Sequence, residues 1–268
     1  MRFDKATIDI RPRSAFEMVD LALAFYRHHL GLLAKINLIL ALPALALGTA
    51  IAFSLRDPIV AFLGFWMLLP LSSGGVIIAA SRRVFGTPLT VKSALGIYRP
   101  LAAAHFFGRL THRILWVPLL PLGLVFGEIL RLKWSFSPMI LLLERLEGRQ
   151  LSLRRRGLHR RGGASAFGFD LAVLTSSCWL IGALLFIADL VLSDLLSVWE
   201  FGGLFTALGS NPWGTVIVLI TVILVSPVID LAWFFYYLDA RIRKEGWDLE
   251  LGFRSIARRL SSNKQEAA

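Results

Sequence analysis

One cysteine, Cys178, among 268 residues leaves no partner for an intramolecular disulfide and no pair of thiolates for a metal. Charge is scarce as well: Asp, Glu, Lys and Arg make up 18% of the chain, against roughly 25% in an ordinary soluble domain. No HExxH pair aims two imidazoles at a zinc ion, no GxSxG elbow presents a serine, and no Gly-rich loop is built to cradle a phosphate. His28, His29, His105 and His112 each lie near arginines, without ligand spacing. These absences leave no nucleophile, metal centre or cofactor to expect. Long polar stretches are missing too, since no segment of more than about 35 polar residues is available to build a water-soluble core.

Apolar side chains are abundant, 56% of the residues, gathered in several runs of about 18 or more, which makes the bilayer the solvent. The expected fold is all-α: a polytopic helical membrane bundle of about six transmembrane helices with interfacial amphipathic helices. It reads as one membrane domain, with a cytoplasmic amphipathic helix in 1–29, a bundle over 30–238 and a basic cytoplasmic tail over 239–268.

Ser14-Ala15-Phe16-Glu17 has the form of a capping box, so a helix is expected from Ser14, with Phe16, Val19 and Leu23 on its apolar face. Spans are expected at about 30–55, 58–81, 112–130, 131–146, 166–192 and 214–238, the fourth short and Pro-bearing. Ala44-Leu45-Ala46 resembles a signal-peptidase site, but the apolar run continues beyond it and cleavage is not expected. Ser72, Gly75 and Ala79 form a small-residue face in the second span, and Gly123 and Gly127 repeat the GxxxG spacing in the third. Residues 82–113 mix arginines with Leu95, Ile97, Tyr98 and Phe106, the pattern of a second interfacial helix opened near Thr87-Pro88.

Basic residues orient the spans. Segments 1–29, 82–113, 145–161 and 241–264 hold 25 of the 29 Lys and Arg, and placing all four inside puts both termini in the cytoplasm by the positive-inside rule. Arg56, Arg131 and Lys133 then fall outside, while Lys35 snorkels. The run Arg149, Arg154, Arg155, Arg156, Arg160, Arg161, with Arg241, Arg243, Lys244 and Arg254 on the tail, is expected to meet anionic phospholipid headgroups or a membrane-complex protein partner. Nucleic acid is not expected, because the run lacks aromatic stacking platforms. Gly246 is expected to end the last span, with an amphipathic helix following from Asp248.

Asp230 follows Ser226-Pro227 inside the last span, where a charge costs roughly 2.5–3.5 kcal/mol at the helix centre, so a partner or cavity is required. It reads either as a proton or cation site or, preferably, as a polar clamp to a neighbour such as Lys35, Asn37 or His112. Asp189, Asp194 and Glu200 near the other end of the fifth span read as solvated loop acids.

Three segments carry a family resemblance: RPRSAFEMVDLALAFYRHH (11–29), SPMILLLERLEGRQLSLRRRGL (137–158) and YYLDARIRKEGWDLELGFRSIA (236–257). Together they resemble bacterial multi-pass proteins of the glycerophosphoryl diester phosphodiesterase membrane-domain and YciC-like group, nearest to a variant encoded beside MoxR-type ATPases and transglutaminase-like membrane proteins. The resemblance implies a bacterial inner-membrane helical protein without catalytic residues. The phosphodiesterase activity belongs to a separate barrel for which this chain has no room. The expected function is that of a non-enzymatic scaffold or accessory subunit of an envelope-associated system, with a small transporter or lipid-handling protein as the alternative.

Overall fold

A computed structural model describes residues 13–116, 132–159, 163–195 and 211–245, and among these all regular structure is helical. The elements are α1 (Ala15–His28), α2 (Leu30–Leu55), α3 (Pro58–Leu68), α4 (Pro70–Val84), α5 (Val91–Trp116), a short turn Ser137–Met139 running into a π-helical turn Ile140–Glu144, α6 (Gly148–His159), α7 (Gly163–Leu190) and α8 (Pro212–Glu245). The protein is an all-α bundle. Residues 1–12, 117–131, 160–162, 196–210 and 246–268 lie outside the description, and with them most of the expected third span, the Gly123/Gly127 pair, Glu200, the Gly246 hinge and the tail helix.

Among the described residues four helical rods are long and apolar enough to cross a membrane: Leu30–Leu55, Pro58–Val84, Ala166–Ser193 and Pro212–Lys244. They match the first, second, fifth and sixth expected spans. Their outward faces are apolar, with Leu38, Ile39, Leu42 and Phe53 of α2, Ile59 and Phe62 of α3, and Leu171, Leu174, Trp179 and Ile187 of α7 all exposed. Such a belt is stable in lipid and not in water. The chain is a membrane protein with transmembrane helices.

Local chemistry sets the ends. At α1 the Ser14 hydroxyl accepts from Glu17 N (3.3 Å) and Glu17 Oε2 accepts from Ser14 N (3.5 Å), completing the capping box. Its buried stripe is Met18, Val19, Ala22, Phe25 and Tyr26, because α1 packs on α7 and α8; Phe16 and Leu23, expected on the same face as Val19, point outward. Asp57 caps α3 by accepting from Ile59 N and Val60 N, with Pro58 in the first helical position where a missing N–H is harmless. Thr90, not Thr87-Pro88, starts α5, its hydroxyl accepting from Ser93 N (3.3 Å).

Small residues let the rods meet. Gly75 faces Ile36 and Leu40 of α2, Gly48 faces Phe65 of α3 and Leu219 of α8, and Gly74 faces the Tyr98 ring of α5. Ser72 and Ala79 are fully buried beside them. Pro227 removes one N–H from α8, which frees the carbonyl four residues earlier, that of Ile223. Asn37 Nδ2 of α2 donates to this carbonyl at 2.7 Å and Ser226 Oγ at 3.1 Å, so the break is satisfied inside the bundle.

Two expectations need correction. Residues 131–146 do not form a fourth crossing over their described part. Phe136 stacks on Tyr236 (5.4 Å) and meets Tyr237 edge-on (5.9 Å), and Glu144 accepts a hydrogen bond from the same Tyr237, so the segment returns to where it started. Even as one unbroken helix, 15 residues would rise only about 22 Å against a hydrocarbon core of about 30 Å. The second correction is α5, which does not rest alone on a surface. It runs antiparallel to the α3–α4 rod: Arg83 donates to Leu89 O (3.0 Å), Gly74 meets Tyr98, and the Arg113 guanidinium lies 4.4 Å above the Trp66 ring.

Candidate functional site

The described ends of the rods separate by charge. At the far end Phe53 meets Trp213 edge-on (5.1 Å), and Arg56 and Asp57 form the turn between α2 and α3. At the other end lie Arg13, Arg27, Arg82, Arg83, the α6 arginines, Arg241, Arg243 and Lys244. The three segments 13–29, 137–158 and 236–245 converge there.

Glu144, unremarked in the sequence, organises this basic end. It accepts from Arg154 Nε at 2.7 Å and from the Tyr237 hydroxyl, and Arg241 Nη1 stands 3.7 Å away. Asp239, also unremarked, accepts from Arg13 N (3.0 Å) and Arg243 Nε (2.7 Å), while Arg243 Nη2 donates to Arg13 O (2.9 Å). Lys244 Nζ donates to Gly157 O at 3.2 Å, joining α8 to α6. Arg155 donates to Ser137 Oγ (3.2 Å) and lies 5.0 Å above the Trp134 ring. Burial, with a smaller contribution from the like charge of Arg156, lowers the Arg155 guanidinium from its ordinary value.

The expected docking residues therefore divide. Arg154, Arg155, Arg241, Arg243 and Lys244 are tied into the protein and hold α1, α6, α8 and the 137–144 turn together. Arg149 and Arg156 point outward, as do Arg27, Arg82 and Arg145, which were counted for orientation alone. Arg160, Arg161 and Arg254 lie outside the described residues.

Asp230 lies two turns further into the bundle from Tyr237. Asn37, an expected partner, is occupied by the Pro227 break; the cations that act on Asp230 are Arg109 and then Arg113 of α5. Tyr98 and His105 belong to the same cluster, with Tyr98 Oη 3.1 Å from His105 Nδ1. Sequence reasoning placed Arg109 and Arg113 on a cytoplasmic surface, whereas in the fold the positive charges of both act on Asp230. Residues 105, 109 and 113 repeat at four, one face of a helix, and that spacing was the available signal. Asp189 is 1% exposed rather than a solvated loop acid, and Cys178 is exposed on α7. Among the described residues no three His, Cys, Asp or Glu side chains gather as a metal set.

The arrangement defines a membrane protein of the all-α bundle class, with one basic end and a buried cluster of mixed charge. Compared with known proteins, the chain matches no family model, no curated protein and no solved structure.

Proposed function

We propose that this protein is a non-enzymatic, multi-pass scaffold or accessory subunit of a bacterial envelope-associated system. In this reading its basic end is cytoplasmic and rests on the anionic leaflet of the inner membrane, where a partner protein joins it. The observation that carries the reading is the division of labour among the arginines. One set is spent on internal ties that make the basic end rigid, and a second set, Arg27, Arg82, Arg145, Arg149 and Arg156, is left exposed around it. Each such cation near an anionic surface contributes about 1 kcal/mol, so five on a rigid platform favour an acidic headgroup layer strongly.

The test is purification from native membranes of the wild type and of a variant with Arg82, Arg145, Arg149 and Arg156 all changed to Gln. Bound lipids and proteins are then identified by mass spectrometry. The variant should lose anionic phospholipid and the co-purifying partner while keeping its thermal midpoint. Equal recovery of both from the two proteins refutes the reading. Reporter fusions at Asp57 and Gly203 should read outside, and those at Gly162 and Gln265 inside. The lipid-handling alternative draws support from the buried cluster around Asp230.

A further inference from the structure

A helix that rests on a membrane by insertion turns a broad apolar face outward, whereas one that meets a protein partner presents a small apolar centre ringed by polar groups. α6 has the second form. Leu151, half-buried, and Leu158, 4% exposed, are turned into the bundle and pack against its core. Outward the helix presents Arg149, Gln150, Leu153, Arg156 and Gly157, whose spacing of three and four makes them one strip. Leu153, 56% exposed, is the one large apolar side chain on it. Arg149 stands a turn before Leu153 and Arg156 a turn after, and neither makes a hydrogen bond or ion pair among the described residues. A Cβ added to Gly157 meets nothing within 4 Å, so the strip is open at that end. It is also fixed in place: Arg154 is tied to Glu144 (2.7 Å), Arg155 to Ser137 (3.2 Å) and the Gly157 carbonyl to Lys244 (3.2 Å). Little conformational freedom is left to lose on binding.

We propose that this strip of α6 receives an acidic amphipathic helix of the partner protein, its carboxylates on Arg149 and Arg156 and an apolar side chain on Leu153; the inference rests on the scaffold reading and names the chemistry of its partner. Seven helical residues separate the two arginines by about 10.5 Å along the axis, the distance between carboxylates two turns apart on a facing helix. Each guanidinium takes a carboxylate through two parallel hydrogen bonds, and the pairs on either side keep water from the covered leucine. A basic helix meets like charge, and a neutral one leaves both guanidiniums desolvated without an acceptor, so the strip selects for acid. Anionic headgroups match the two arginines equally well, but a lone leucine supplies too little apolar area to draw α6 into the leaflet.

The experiment places the full chain in phosphatidylcholine nanodiscs and follows, by fluorescence anisotropy, the binding of an alanine-based helical peptide of roughly 18 residues with Glu, Leu and Glu at i, i+4 and i+7. The wild type should bind it, and Leu153→Asp should weaken binding about tenfold. Arg149→Glu combined with Arg156→Glu should abolish binding of this peptide and confer binding of the same peptide with Lys in place of both Glu, an exchange that also shows the variant to be folded. The membrane as occupant is tested with Leu153→Cys in a Cys178→Ser background, whose thiol should react with a neutral, water-soluble maleimide equally fast in phosphatidylcholine and phosphatidylglycerol nanodiscs. The proposal is overturned if the Glu peptide does not bind, if the wild type binds the Glu and Lys peptides alike, if reversing the two arginines does not exchange the preference, or if phosphatidylglycerol protects the thiol. Native membranes separate the two readings. Peptide binding by a wild type that recovers no partner there overturns the scaffold reading alone, whereas a partner recovered equally by the wild type and the doubly reversed variant overturns this inference alone.

Discussion

Gly48 sits where α2, α3 and α8 meet, and Gly48→Ala is the sharpest probe of how the bundle is held. A Cβ added there would lie 2.7 Å from Leu219 Cδ1, 2.8 Å from Phe65 Cβ and 3.3 Å from Ala61 O. Leu219 can turn its methyl away, but Phe65 Cβ is fixed to the α3 backbone, so α2 and α3 must separate by about 0.7 Å to restore a carbon contact of about 3.5 Å. Overpacking of this kind costs about 1–3 kcal/mol. The same substitution gains about 0.8–1 kcal/mol of helix propensity, which obscures the steric term if Gly48→Ala is measured alone. Gly182→Ala supplies the correction. Gly182 is also inside a helix, α7, and a Cβ there meets nothing within 4 Å, so it gains the propensity without the clash. The difference between the two variants should therefore be about 1–3 kcal/mol, with Gly182→Ala the more stable. Thermal unfolding in a mild detergent, followed by tryptophan fluorescence and circular dichroism, reads that difference as several degrees. Equal midpoints for the two alanines would refute the close approach of the three helices.

Three further outcomes test other parts of the fold. Asn37→Leu removes the donor that α2 supplies to the Ile223 carbonyl freed by Pro227, and should destabilise by about 1–2 kcal/mol, read as a lower midpoint; an unchanged midpoint means Ser226 alone satisfies the break. Glu144→Gln removes the negative charge that Arg154 and Arg241 share, at a cost of about 1–3 kcal/mol, and should speed tryptic cleavage after Arg145 and Arg149 because α6 loosens from α8. Burial, then the neighbouring charges of His28 and Arg83, lower the His29 pKa, so the folded protein resists protonation there; the stability this site supplies is complete above about pH 6.5 and is lost as pH falls below it. The midpoint of the wild type should drop more than that of His29→Gln between pH 7.5 and pH 5.5, and parallel curves would show that His29 does not contribute.

The sequence by itself determined the class of the molecule and the placement of its four described rods, because hydrocarbon thickness demands long apolar runs that arise in no other setting. It also located the start of α1, since the Ser14–Glu17 capping box is satisfied entirely within one helical turn, and the close contact at Gly75, whose small neighbours repeat with the helix. The gathering of basic residues at one end was legible for the same reason: it depends on where charges fall between runs, not on what they touch. Asn37 was read from the sequence only as a candidate partner of Asp230, whereas it serves the break at Pro227. Its partner lies 186 residues away, and nothing local announces which broken carbonyl it serves.

Tertiary structure decided the rest. Hydropathy cannot distinguish a segment buried in protein from one facing lipid, because both environments exclude water, so Met139 to Leu142 read as a crossing until Phe136 and Glu144 were seen to share Tyr237. For α5 the error ran the other way. Arg109, Arg113 and His105 give the helix the composition of a water-facing surface, and only its antiparallel packing against α3–α4 turns that face inward toward Asp230. Charge along a chain reports the cost of leaving water, whereas the compensation for that cost comes from groups that folding brings together from distant positions.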